Sequence, residues 1–221
     1  MSQRILVWDV PTRVFHWLLV LSFTGAYLTA ESELYRDIHV VLGYTLLGLL
    51  AFRLLWGFSG TRYARFRSFL FKPGEVVAYV LSLLKGKPAH YVGHNPAGSV
   101  AIWLLLGLGI LSGATGVMAF QSIGGDVVEE LHEFVSNTML IMVFIHIAGV
   151  VVGSVLHREN LVRAMITGFK SAEPDEGIQH SYLWLGAIIL AAVVAFWVVY
   201  PAIGFATPSA GAVHAKHHDD D

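Results

Sequence analysis

Two histidines, His132 and His146, lie fourteen residues apart within one apolar stretch, and two more, His16 and His39, sit at the start of earlier apolar stretches. Neutral imidazole is a strong ligand for transition metals and titrates near neutrality, so these residues suit metal, redox or proton chemistry. Ionisable side chains are costly inside a membrane-spanning helix and mark functional positions there. On a helix, fourteen residues cover about 21 Å, at about 1.5 Å per residue. Two heptads drift by only about 40° on a straight helix, so both imidazoles leave nearly the same face. A metal with two axial positions takes ligands from opposite sides, and facing helices supply such pairs.

The elements that must position these residues are helices in lipid. The 221-residue chain is 55% hydrophobic and 14% charged, against about 25% charged in soluble domains. Five segments, near 14–30, 38–56, 98–120, 131–156 and 183–205, approach the roughly 20 apolar residues needed to span a bilayer. None alternates as a membrane strand does, and helices satisfy their own backbone in lipid. The expected fold is an all-α membrane protein: a transmembrane helical bundle with a four-helix core that carries the histidines and a fifth C-terminal span. The start of the chain leads through Arg4, Asp9, Pro11 and Arg13 without the short apolar region and small-residue cleavage site of a leader. The first apolar segment is therefore expected to stay as a helix. The sequence has no cysteine, which excludes disulfides, Cys-ligated iron–sulfur clusters and thioether-bound haem on this chain.

Lys and Arg set the expected orientation. With the N-terminus cytoplasmic, the inner side carries Arg4, Arg13, Arg53, Arg62, Arg65, Arg67, Lys72, Lys85, Lys87, Arg158, Arg163 and Lys170, and the outer side only Arg36 and Lys216. The outer loops are acidic, with Glu31, Glu33 and Asp37 in one and Asp126, Glu129, Glu130 and Glu133 around the other. The predicted topology is multi-pass, with the N-terminus cytoplasmic and the C-terminus on the outer side. In the inner loop 57–97, Pro73-Gly74-Glu75 opens and Lys85-Gly86-Lys87-Pro88 closes a short apolar helix, either lying at the membrane interface or packed on the bundle. A polar inner loop runs from His157 to His180. Residues 1–170 form the four-helix domain, 171–205 the loop and fifth span, and 206–221 a disordered periplasmic tail. The tail's His214, His217, His218 and Asp219 to Asp221 are either a weak metal site or solvated polar surface.

This topology pairs the histidines by depth. His39 and His132 share the outer half, His16 and His146 the inner half, which suits two bis-histidine haem sites stacked across the membrane. A flat macrocycle needs small residues nearby. Gly25, Gly43, Gly48, Gly113, Gly116, Gly149 and Gly153 are candidates, although small residues also serve plain helix packing. His90, His157 and His180 fall in inner loops or at helix ends and read as polar surface. His94, in Gly93-His94-Asn95-Pro96, is either helix-start polarity or a contact to a haem propionate or quinone. Arg53 either snorkels to the inner surface or pairs with a propionate, as Arg13 and Arg158 could.

The stretch from Val7-Trp8-Asp9-Val10-Pro11-Thr12-Arg13 to Phe15-His16-Trp17 resembles the start of the bacterial cytochrome b561 and nickel–iron hydrogenase b-type cytochrome family. So do Ile38-His39 to Gly43, Arg53-Leu54-Leu55-Trp56-Gly57, Gly93 to Pro96, Leu131-His132-Glu133 and Ile145-His146. The resemblance covers about residues 5–170. It implies two haems b held by His16, His39, His132 and His146, and electron transfer between the quinone pool and a periplasmic redox partner such as a c-type cytochrome or a hydrogenase-like oxidoreductase. The chain then acts as an electron-transfer subunit, with a quinone site on the inner side near Arg13, Arg53, His94 and Arg158. The fifth span departs from four-helix members. Some members oxidise superoxide and reduce ubiquinone, but acidic outer loops repel an anion and favour a basic protein surface. Two other classes compete: a histidine-liganded metal transporter, which would show bound zinc or copper and no haem absorption, and a membrane anchor whose haem is structural.

Overall fold

The computed structural model describes residues 3–86 and 89–204, with side chains described to residue 200. Its elements run β1 (Gln3–Leu6), α1 (Val10–Thr29), α2 (Arg36–Ser59), α3 (Pro73–Leu84), α4 (Pro96–Phe120), α5 (Gly125–Leu156), α6 (Leu161–Thr167), β2 (Phe169–Ala172) and α7 (Leu183–Gly204). Local chemistry fixes several starts. Asp9 accepts from Thr12 N at 2.7 Å, Asn95 from Gly98 N at 2.7 Å and Asn160 from Arg163 N at 2.7 Å, and Pro11 and Pro96 lie in the first turns they cap.

Helices α2 with its preceding turn, α4, α5 and α7 are long and apolar enough to cross a membrane. Helix α1 has 20 residues, about 30 Å at 1.5 Å per residue. It stands outside this group because Pro11, Thr12, Arg13 and His16 occupy its first two turns, although it was read as the first span. It nevertheless runs beside α2 and α7. Helix α5, with 32 residues, begins six positions before the span expected at 131–156. Its acidic opening turns are helical but not apolar. The tail expected from residue 206 lies outside the described residues.

Two hairpins make the bundle. α1 packs along α2, α4 packs along α5, and the hairpins meet chiefly through α2 and α4. α7 docks on the α1–α2 side, where Ile189 joins Phe15, Leu18 and Leu49 and Trp197 Nε1 donates to Thr45 Oγ1 at 2.8 Å. The fifth helix is thus remote from α5. α3 lies against α4 through one face that buries Tyr79, and it leaves Val77, Val80, Leu81 and Leu84 exposed.

At the arginine-rich end the chain folds a cap that the sequence reading treated as loops. β1 pairs antiparallel with β2, from Gln3 opposite Ala172 to Leu6 opposite Phe169. The boundary expected at residue 170 falls inside this ribbon. Gly168 closes α6 at φ +87°, and its carbonyl accepts from Val7 N at 2.8 Å and Trp8 N at 3.0 Å. A Cβ there would lie 2.7 Å from Trp8 O, so both the angle and the approach require glycine. Ile5, Val7, Trp8, Tyr63, Ala164 and Ala172 form the cap's own core. Asp9, 1% exposed, ties cap to bundle: besides Thr12 N it accepts from Trp56 Nε1 at 3.1 Å and Thr61 Oγ1 at 2.6 Å.

Candidate functional site

Neither α1 with α5 nor α2 with α5 is among the helix pairs that pack extensively. These are the pairs that carry the four histidines, and His39 and His132 face a seam between the hairpins. At the acidic end the seam opens into a cavity of about 350 Å³, within the range of small-molecule and cofactor sites. His39 and His132 line it from opposite sides, with Gly43, Gly109, Gly113, Gly116, Leu47, Leu50 and Met139 among the apolar walls. Tyr27 OH donates to Asn137 Oδ1 at 2.8 Å and spans the seam from α1 to α5.

The geometry of this pair is compatible with two ligands on one metal ion. His39 Nδ1 lies 2.8 Å from Ala26 O and His132 Nδ1 3.0 Å from Ser112 O. A carbonyl only accepts, so each Nδ1 carries the proton and donates, and each Nε2 keeps its lone pair. An anchored Nδ1–H is the usual support of a metal-bound histidine. The two ring centres are 6.2 Å apart, with planes at 89°. Two imidazoles on opposite sides of one metal ion are expected about 6 Å apart, from about 2.0 Å per metal–nitrogen bond and roughly 1 Å from nitrogen to ring centre. Small residues shape the space beside them. A Cβ on Gly43 would meet nothing within 4 Å, and one on Gly116 would lie 2.9 Å from His132 Cε1. Gly149, beside His146, also faces open space, whereas Gly25, Gly113 and Gly153 pack on Leu42, Leu47 and Leu161. The donor set, spacing and open cradle fit a haem with two axial imidazoles.

The inner pair is less enclosed by direct bonds. His16 lies within electrostatic reach of His146, and His16 Nδ1 is buried without a hydrogen-bond partner. Around this level the structure gathers several residues singled out in the sequence. Arg13 Nη1 donates to Ile166 O at 2.6 Å, and its Nε is buried and unpartnered. Arg53 is 4% exposed and does not snorkel: its Nη1 donates to Ala64 O at 2.9 Å, and its guanidinium lies over Phe66 and Phe69 at 4.9 and 5.7 Å. Arg158 sits at φ +51° in the turn after α5. His94 does not cap α4, since Asn95 does. Its ring is held between Trp8 and Phe69, 4.7 and 4.6 Å between centres, with Nδ1 buried and unpartnered. Burial first, then the charges of Arg53, Lys170 and His146, push the His94 pKa down to about 3, so the ring is neutral near pH 7.

Four functional-looking residues were not singled out in the sequence. Asp9 had a signal, an acid just before a proline-started helix. Asn137, Ser112 and Thr115 had none, because their role is set by a partner on another helix: Thr115 Oγ1 lies 3.2 Å from His132 Nδ1 and bonds back to Leu111 O. His157, read as surface, contacts Tyr79 OH at 3.3 Å through Nε2. Among the described residues, no group of three or more His, Cys, Asp or Glu could hold a metal ion.

A family model described as prokaryotic cytochrome b561 matches residues 7–168. Curated relatives include proteins named probable Ni/Fe-hydrogenase B-type cytochrome subunit. The one from Rhizobium leguminosarum bv. viciae is 25% identical, over 77% of this chain and 92% of its own. Those from Azotobacter vinelandii and Rhodobacter capsulatus are 25% and 24% identical, over 79% and 77% of this chain and 92% and 83% of theirs. No solved structure matches the chain. With a helical bundle of apolar spans and a family match across both histidine pairs, the chain belongs to the prokaryotic cytochrome b561 family, membrane electron-transport proteins that carry haem b.

Proposed function

We propose that this protein relays electrons across the bacterial inner membrane through two haems b, between a periplasmic redox partner and the quinone pool. His39 and His132 would hold the outer haem, and His16 and His146 the inner one. The observation that carries this reading is the outer pair: two rings 6.2 Å apart, each with Nδ1 engaged by a carbonyl and Nε2 left for iron. Bound haem supplies one-electron iron chemistry, and the protein tunes it through ligands, burial and hydrogen bonds. Here the Ala26 and Ser112 carbonyls fix tautomer and ring orientation and raise ligand basicity. Leu47, Leu50 and Met139 give the outer pair an apolar wall. The aromatic pocket of Trp8, Phe66 and Phe69 does the same for His94 and Arg53 near the inner pair.

Charge supports the assignment of sides. The arginine-rich cap suits the cytoplasm, with the N-terminus inside and the tail outside. Glu31 and Glu133 line the outer cavity, which favours a basic patch on a protein donor over superoxide. The relatives' names make a nickel–iron hydrogenase the leading candidate for that donor, with a c-type cytochrome as the other. Quinone would be reduced on the inner side, near Arg13, Arg53, His94 and Arg158. Haem content by pyridine haemochrome, on the detergent-solubilised chain with protein measured independently, tests the core of this. Two haems b per chain are expected. None after haem-replete expression would overturn it in favour of histidine-liganded metal transport. A superoxide oxidation rate that rises at low salt would overturn the choice of donor.

A further inference from the structure

The cap contains an ion pair, its lysine buried and its carboxylate half-buried, that the electron relay does not use. Lys170, on β2, is 6% exposed, and its ammonium lies 3.1 Å from Glu159 Oε2. It also donates to Val92 O at 3.0 Å and Tyr91 O at 3.4 Å. The second carboxylate oxygen, Glu159 Oε1, is enclosed with no hydrogen-bond partner among the described residues. As a fastener between ribbon and loop this arrangement is poor. Apolar residues of similar volume hold such positions at least as well as a desolvated ion pair does.

The neighbours of the pair run from solvent to the inner histidines. Outward, the charges of both Lys170 and Glu159 are felt at His157, whose ring contacts that of exposed His90 at 5.5 Å between centres and whose Nε2 meets Tyr79 OH. Inward, the Val92 carbonyl that holds the Lys170 ammonium lies two residues before His94, whose ring sits between Trp8 and Phe69, and the charges of Lys170, Arg53 and His146 act on His94. The groups facing the pair are therefore His90, His157, Tyr79 and Tyr91 on the outer flank and His94, Arg53 and His146 on the inner one. A proton-bearing or proton-accepting group recurs at every stage of this series, from exposed His90 to buried Arg53.

We propose that Glu159 and Lys170 form the proton-uptake site for quinone reduction at the inner end of the relay. This rests on the inner-side quinone site proposed above. Reduction of a quinone consumes two electrons and two protons and yields one quinol. The electrons come from the haems, and each proton leaves the Lys170 ammonium inward past His94. Lys170 regains it through Glu159, which is recharged from the His157 and His90 surface. The free Oε1 is the point at which the carboxylate takes up its proton.

The test uses the full, haem-loaded chain in liposomes, with reduced methyl viologen as electron donor and decylubiquinone as acceptor. Haem reduction without quinone and quinol formation with it are followed in H2O and D2O between pH 6 and 9, and rates are normalised to haem. In E159Q, haem reduction is expected to be unchanged while quinol formation falls at least tenfold, with partial rescue by added acetate as a proton carrier. The double variant E159Q/K170M removes both charges and leaves no unpaired one in the cap. It should show the same loss, and H157Q a smaller one. Quinol formation and isotope effect equal to wild type in the double variant would overturn the assignment. Absence of quinol formation by wild type with reduced haems would overturn the inner quinone site itself, and this assignment with it.

Discussion

Gly116→Ala is the smallest change that should empty one histidine pair and spare the other. A methyl there would sit 2.9 Å from His132 Cε1, 3.3 Å from Nδ1 and 3.6 Å from Nε2. Carbon–carbon contact is comfortable only beyond about 3.5 Å, so the ring must retreat by roughly half an ångström or rotate. Metal–ligand distances tolerate about 0.2 Å. Retreat also strains the 3.0 Å bond from His132 Nδ1 to Ser112 O, and loss of such a supporting bond alone lowers metal affinity about 10–100-fold. The expected result is a fall from two haems to one per chain, with the surviving haem keeping its midpoint potential in a redox titration. Gly107→Ala is the control, since a Cβ there meets nothing within 4 Å and Gly107 does not line the cavity. Two haems in Gly116→Ala, with both potentials as in wild type, would refute the placement of an iron between His39 and His132.

Three further outcomes follow from the same structure. His146→Ala should lose the inner haem and keep the outer one, read as one haem per chain; retention of both would break the proposed pairing. Asp9→Ala removes a helix cap worth about 1 kcal/mol and two further bonds to a buried carboxylate, each worth about 1.5–3 kcal/mol. A loss of roughly 4–7 kcal/mol is expected in thermal unfolding, and less than about 1 kcal/mol would contradict the clamp. For His94, held at about 3 against an ordinary 6.5, the unfolded chain binds the extra proton throughout that window. Stability is therefore full above about pH 6.5 and is lost as pH falls toward 3, by up to about 1.4 kcal/mol per pH unit. Melting temperatures at pH 7 and pH 5 should differ more in wild type than in His94→Phe, and an equal difference in the two would sink the assignment.

Hydropathy located α2, α4, α5 and α7 to within a few residues because lipid selects for apolar length. It missed the first turns of α5 because Asp126, Glu129 and Glu130 are compatible with a helix but not with hydrocarbon. It also overstated how apolar α1 is. Depth reasoning put His39 with His132, whose rings the structure brings to 6.2 Å, since helix rise alone fixes level. The cap was not legible. Each strand has four residues, too few for alternation to register, and the partners lie at opposite ends of the first 172 residues. Arg53 and His94 carried ambiguous signals, because what decides their state is the aromatic or carbonyl wall that a distant segment places around them, and Lys170 carried only its charge.

The seam between the hairpins has a consequence for biogenesis. The α1–α2 hairpin brings His16 and His39, and the α4–α5 hairpin brings His132 and His146, so neither half can complete six-coordinate iron alone. The halves already meet through α2 with α4 and through the β1–β2 cap, and between α1 and α5 Tyr27 with Asn137 is one bridge. On the proposed ligation, the prosthetic group is then a further fastener between two separately inserted halves. Cut in the segment before α4 and co-expressed, the two halves should copurify in higher yield from haem-replete cells than when haem synthesis is blocked.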